Sequence, residues 1–194
     1  MITIVSGLPR SGTSLMMQML AAGGMAVLTD GQRSADDDNP RGYYEWERIK
    51  QLPQDPACIA EAEGKAVKVI SQLLFALPGA YDCRIIFMER PLAEVVASQV
   101  EMIRRRGTSG AALSQAVLIA ALQSHLNQVN ASLQHRPNIL LCRVEYHQVL
   151  RDPMCASETV QQFLHQTLDI ASMAQQVNQS LYRCRTEGTV FPKE

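Results

Sequence analysis

Residues 2–14, ITIVSGLPRSGTS, constrain the fold of this chain more than any other stretch. An apolar, β-branched run from Ile2 to Val5 feeds a turn with glycines at Gly7 and Gly12 and hydroxyls at Ser11, Thr13 and Ser14. A helical pattern starts immediately afterwards, over 12–22. A strand that turns straight into a helix leaves the first helical N–H groups without partners. The helix dipole adds positive potential at the same place, so phosphate or sulfate oxygens are stabilised there without a large net charge. Gly7 and Gly12 let the backbone approach such a ligand closely. Their spacing is that of a Walker A loop, but Thr13 stands where that loop carries lysine, which disfavours an ordinary ATPase or GTPase. Arg10 is the cation of the loop.

The remaining pattern extends this beginning into an α/β fold. Arg84 to Met88 and Asn138 to Val144 read as buried strands, with Ala66 to Ile70 a weaker one. Helical patterns fill the intervals at 91–103 and 111–133, and Asp152-Pro153 opens another that runs to about His165. Strands alternating with helices predict a three-layer α/β/α architecture around a central parallel sheet, like that of P-loop nucleoside triphosphate hydrolases. With 194 residues, 46% of them apolar, one domain spanning 1–194 is expected. The polar stretch from Thr29 to Arg41 reads as a long exposed loop of the kind that forms lids. On the helix after Pro91, Leu92, Val95, Val96, Gln99 and Ile103 form one stripe, which leaves Glu94, Ser98, Glu101 and Arg105 on a polar face.

Charge and cysteine usage narrow the function classes. A formal net charge of −1 supplies no field for gripping nucleic acid or an anionic membrane, so neither partner is expected. No run of about 18 apolar residues is present, and a cytoplasmic location is expected. Cys58, Cys83, Cys142, Cys155 and Cys184 are scattered without a C-x-x-C pair, which predicts buried reduced thiols rather than a disulfide frame or zinc site.

The stretch from Gly7 through Leu8, Pro9, Arg10, Ser11, Gly12 and Thr13 to Ser14 resembles the 5′-phosphosulfate-binding loop of sulfotransferases that use 3′-phosphoadenosine 5′-phosphosulfate (PAPS). The donor's 5′ end carries one phosphate and one sulfate, and a cradle for it has no γ-phosphate station that would need the Walker lysine. The segment FMERPLAEVVAS, 87–98, resembles the same family's 3′-phosphate-binding segment, which implies that Arg90 and Ser98 hold that phosphate. Arg143 to Pro153 is similar to the family's Tyr-Glu-x-Leu-x-x-x-Pro stretch, with His147 in place of the usual glutamate and Tyr146 expected near the adenosine. The family often adds a basic C-terminal loop, for which Arg183, Arg185 and Gly188 are the candidates. The resemblance implies PAPS as sulfuryl donor, no metal, and a hydroxyl or amine of a small-molecule or glycan acceptor.

Transfer of a sulfuryl group also needs a base for the acceptor's proton and stabilisation of charge on the bridging oxygen. Arg10 is expected to serve the second need. The segment NPRGYYEW, 39–46, looks like an Asn-Pro-x-Gly-Tyr-x-Glu stretch of bacterial relatives; it makes Glu45 the preferred base, with Asp30 the alternative. Tyr43, Tyr44 and Trp46 would wall an acceptor pocket or sit in the core. His125, His135, His147 and His165 read as structural or solvated, Asp36 to Asp38 as a solvated loop, and Arg104 to Arg106 as an exposed helix end. Two other functions fit the same loop, an atypical P-loop small-molecule kinase and a nucleotide-binding protein without catalysis.

Overall fold

The computed structural model describes residues 1–36, 39–105 and 114–182. The proposed basic residues Arg183, Arg185 and Gly188, with Cys184, Arg106, Asp37 and Asp38, lie outside them. Five strands form one sheet: β1 (Ile2–Gly7), β2 (Val27–Leu28), β3 (Ala66–Lys68), β4 (Cys83–Glu89) and β5 (Ile139–Glu145), ordered β2-β3-β1-β4-β5. Every pairing is parallel. The helices are α1 (Thr13–Ala22), α2 (Leu92–Arg105), α3 (Gln115–Gln134), α4 (Tyr146–Arg151), α5 (Pro153–Leu164) and α6 (Ile170–Ala174), and short 3-10 turns occupy 47–51, 56–62 and 71–76.

Side-chain alternation along the central strands builds two cores. Val5, Ile86 and Met88 pack with α1 and α5 through Met16, Met17, Leu20, Val160 and Leu164. The intervening Ile4, Ile85 and Phe87 face the other way, onto Trp46, Ile49, Val129 and Leu133. A strand buried on both faces must read as continuous apolar residue rather than as alternation, which is why the β1 and β4 runs are conspicuous in the sequence. The weaker elements escaped that reading. β2 has two residues, and α4 follows β5 with no intervening loop, so its first turn merges with the strand pattern. α6 is a single short turn-and-a-half whose start is fixed by the Asp169 carboxylate accepting the Ser172 N–H at 2.9 Å.

Register decides which chain segments meet. Gly7 pairs with Met88 and Glu89 with Glu145, so β1, β4 and β5 end level with one another. On the other side of β1, Val5 pairs with Lys68, the last residue of β3. Segments after four adjacent strand ends therefore share one edge of the sheet, where ligands of open α/β folds bind. Two details differ from the sequence-based pattern of α2. Glu94 is buried at 1% exposure rather than lying on an open polar face, and Ile103 is 37% exposed. Cys155 is likewise exposed, whereas Cys58 and Cys83 are buried and burial pushes the Cys83 thiol up to about 11. No helix among the described residues is long and apolar enough to cross a membrane.

The loop between β1 and α1 depends on Gly12, whose φ of 102° lies in the left-handed region. A Cβ built there would sit 2.5 Å from the Tyr146 ring. Gly12→Ala is therefore expected to lower unfolding stability by about 1–3 kcal/mol, from backbone strain and displacement of that ring. Urea titration with an unchanged midpoint would contradict this account of the turn.

Candidate functional site

The N-terminus of α1 is the centre of the site. Gly12 is its N-cap and contributes no side chain, so no side-chain hydrogen bond caps the first turn. The opening N–H groups point past the carboxyl end of β1 with the positive end of the dipole behind them. Arg10 holds a φ of 76°, a conformation that costs free energy for a side chain of this kind and turns the guanidinium toward α2.

Three segments separated in sequence converge on this turn. Arg10 Nε donates to Ser98 Oγ at 2.9 Å, and Arg90 Nη1 donates to the Arg10 carbonyl at 3.1 Å. Gln99 Nε2 donates to the Pro9 carbonyl at 3.1 Å, which fastens the loop to α2 a second time. The Arg90 guanidinium lies 4.8 Å from the centre of the Tyr146 ring, and that ring rests against Gly12. Pro9, Arg10, Gly12, Thr13, Ser14, Arg90, Ser98 and Tyr146 all line one cavity of about 420 Å³. Gly7 lies beneath it, where a Cβ would come within 2.7 Å of the Met88 carbonyl. Ser11 faces away; its buried hydroxyl borders a second cavity over the ends of β4 and β5.

Arg90 is held by a buried carboxylate. Glu94 Oε2 accepts from Arg90 Nε at 2.9 Å and lies 3.1 Å from His147 Nε2, while Tyr182 donates its hydroxyl to Glu94 Oε1 at 2.6 Å. The Glu94 side chain has no exposed surface and that of Arg90 is 7% exposed. A charge so placed persists only with full hydrogen bonding, which Arg90, His147 and Tyr182 help to supply at a position that periodicity assigns to an open polar face. Periodicity reports which face a residue occupies and not whether a partner waits inside. His147, read as structural or solvated, belongs to this network.

The opposite wall contains a residue that no sequence motif singles out. Lys68 closes β3, is 8% exposed, and donates to Ser14 Oγ at 3.0 Å and the Tyr43 carbonyl at 2.9 Å. Burial pushes its ammonium down to about 8, opposed by the nearby Glu45 carboxylate at 3.6 Å. Glu45 also accepts two bonds from Arg33 Nη1, at 3.0 and 3.3 Å, and Arg33 covers the Tyr43 ring at 3.3 Å from its centre. Tyr43 and Trp46 line the cavity, whereas Tyr44 packs against the α1 core. Asp30 lies outside the cavity lining. Its carboxylate is held below the usual range by the Glu47 and Gln32 N–H groups, at 2.6 and 3.0 Å. Asp36 accepts from the Tyr43 hydroxyl at 2.7 and 2.8 Å and so shapes the loop. No group of three or more potential metal ligands occurs among the described residues.

The arrangement fits an elongated dianionic group laid across the α1 N-terminus, with a second anion near Arg90 and Ser98. The glycine cradle, the uncapped N–H groups and cations on both flanks are the features such a ligand needs.

Comparison with known proteins bears on the family and the fold. A family model described as the sulfotransferase domain matches residues 2–189. Among solved structures, the chain is similar to a sulfotransferase domain from the curacin biosynthetic pathway, with 14% identity and a TM-score of 0.52 over 91% of this chain and 77% of that one. At that identity the likeness concerns the fold. No curated protein matches the chain.

The buried network yields a direct expectation. Glu94→Ala removes the buried carboxylate that accepts from Arg90 Nε and should lower unfolding stability by about 3–5 kcal/mol. A loss below about 1 kcal/mol in chemical denaturation would mean that water, not Glu94, satisfies Arg90.

Proposed function

The chain belongs to the sulfotransferase domain family, and on that footing we propose that it transfers a sulfuryl group from PAPS to a hydroxyl or amine of a small-molecule or glycan acceptor. The observation that carries this reading is the bond from Arg10 to Ser98 together with that from Arg90 to the Arg10 carbonyl. These join the loop suited to a 5′-phosphosulfate to the pair suited to a 3′-phosphate.

Bound there, the donor supplies the sulfuryl group: an acceptor oxygen or nitrogen bonds to sulfur as the bond from sulfur to the 5′-phosphate oxygen breaks, its electron pair leaving with 3′-phosphoadenosine 5′-phosphate. The chain's own groups divide the remaining work. N–H groups at the start of α1, with Ser14, hold the 5′ end, and Arg10 offsets charge on the departing oxygen. Lys68 brings a second cation from the opposite side of β1, which supplies the charge that Thr13 does not. Arg90 and Ser98 hold the 3′-phosphate, and Tyr146 offers a ring face to the base. Glu45, positioned by Arg33 and Lys68, takes the acceptor's proton and passes it to solvent.

Isothermal titration with 3′-phosphoadenosine 5′-phosphate, ADP and ATP with Mg²⁺ tests the donor assignment. The 3′-phosphorylated ligand is expected to bind at least about tenfold tighter than ADP, since it places on the 3′ carbon the second phosphate that ADP carries on its 5′ chain, and there gains charge-assisted bonds. Equal affinities would remove the assignment of Arg90 and Ser98, and preference for ATP with Mg²⁺ would favour a kinase.

Lys68 adds a pH signature. Its ammonium is charged below about 8 and neutral above, so kcat/KM for the donor should fall as pH rises through that value, by about tenfold per further unit. Lys68→Arg keeps its charge and should abolish this fall. A variant with the same alkaline limb would assign the loss to another group.

A further inference from the structure

We propose that the acceptor side of the cavity receives a hydroxyl carried on a compact apolar body, an aryl or branched alkyl alcohol, in preference to a sugar; the inference rests on the donor assignment above. The proposed donor side is Gly12 to Ser14, Arg90, Ser98 and Tyr146, and Lys68 and Glu45 line the same cavity. The lining is completed by Arg33, by 39–43 and 176–181, and by three short segments, 46–50, 70–73 and 101–105, that bring apolar side chains to it.

Their contributions follow from local geometry. Residue 70 continues the extended backbone of β3, with φ −62° and ψ 151°, so Ile70 falls on the same side as Lys68 two residues earlier. Met102 lies one helical turn beyond Ser98 on α2 and faces the same cavity. Trp46 follows Glu45 directly, and Ile49 stands one 3-10 turn further on. Leu73 packs against the core that contains both. The acceptor wall is therefore Trp46, Ile49, Ile70, Leu73 and Met102, and Ile70 leaves 37% of its surface uncovered at the cavity.

Lys50, Glu101 and Arg105 of these segments also line the cavity, and each is engaged by a neighbour: Lys50 pairs with Glu47 at 2.6 Å, and Glu101 accepts from both Arg104 and Arg105 at 2.9 Å. A sugar placed against the five apolar side chains would surrender water from hydroxyls that meet hydrocarbon, each an uncompensated loss. An apolar body loses only unfavourable hydration and covers the exposed face of Ile70. The same cavity must also admit the donor, which limits the acceptor to a compact molecule.

The test is a titration of the full chain, loaded with 3′-phosphoadenosine 5′-phosphate, with 1-naphthol and with methyl glucoside. Naphthol is expected to bind at least about tenfold tighter, and Ile70→Asp to weaken it by about tenfold or more, with the affinity for 3′-phosphoadenosine 5′-phosphate retained. Leu73→Asn serves the same purpose should Ile70→Asp fail a thermal-melt check of folding. Equal or tighter binding of the glucoside, or naphthol affinity unchanged in the variants, overturns the proposal. Failure of the wild-type chain to prefer the 3′-phosphorylated nucleotide over ADP instead defeats the donor assignment, and the naphthol and glucoside titrations of the unloaded chain then judge the wall by themselves.

Discussion

The level ending of three adjacent parallel strands, β1, β4 and β5, is the constraint on which the site depends. Pairing of Gly7 with Met88 and of Glu89 with Glu145 leaves the residues after β1, β4 and β5 no choice but to emerge side by side. A one-residue slip would turn each strand's buried side chains to the opposite face, and both cores would be lost. Burial of Ile4, Val5, Ile85 and Ile86, all without exposed surface, thus fixes the register and with it the meeting of Arg10, Arg90 and Tyr146. Hydrophobic packing at the centre of the sheet sets the polar geometry at its edge.

Glu94 adds a second order of control. A buried carboxylate beside an anion site is at first sight a mistake, because its charge opposes the ligand. Its cost is offset by hydrogen-bonding partners that include Arg90 in the turn after β4, His147 on α4 and Tyr182, the last described residue. The effect is to hold a long, flexible arginine side chain in one orientation before any ligand arrives. The Tyr182 ring, 5.2 Å from the Arg90 guanidinium, closes the other side of that charge.

Legibility in the sequence followed the strength of local signals. The first strand, its turn, α1 and the β4–α2 unit were visible because doubly buried strands and glycine turns have distinctive local composition. Their boundaries differ by a residue or two from the predicted ones, as Ile2–Gly7 and Cys83–Glu89 do from the shorter apolar runs. Lys68 was not legible. A lysine ending a three-residue strand resembles any solvent-facing cation, and only the bonds from its Nζ to Ser14 Oγ and the Tyr43 carbonyl reveal that it points into the cavity. Glu94 was misplaced for the same reason: its partners His147 and Tyr182 lie 53 and 88 residues away. Long-range pairing leaves no trace in periodicity.

Lys68 also bears on why this loop lacks the Walker lysine. In a Walker A loop the cation follows the second glycine and reaches forward to the β- and γ-phosphates. Here that position is Thr13, only 6% exposed, and the ammonium arrives from β3 across the loop, bound to Ser14 Oγ. A cation in this place lies beside the end of the cradle rather than over an extended triphosphate. It also contacts the Tyr43 carbonyl and adjoins Glu45, so one buried charge ties the anion loop to the segment that forms the acceptor wall. Burial has weakened the hold of Lys68 on its proton, and an anion in the cradle would strengthen it again. In the proposed function, donor binding and the electrostatics around Glu45 would thus be coupled through this single side chain.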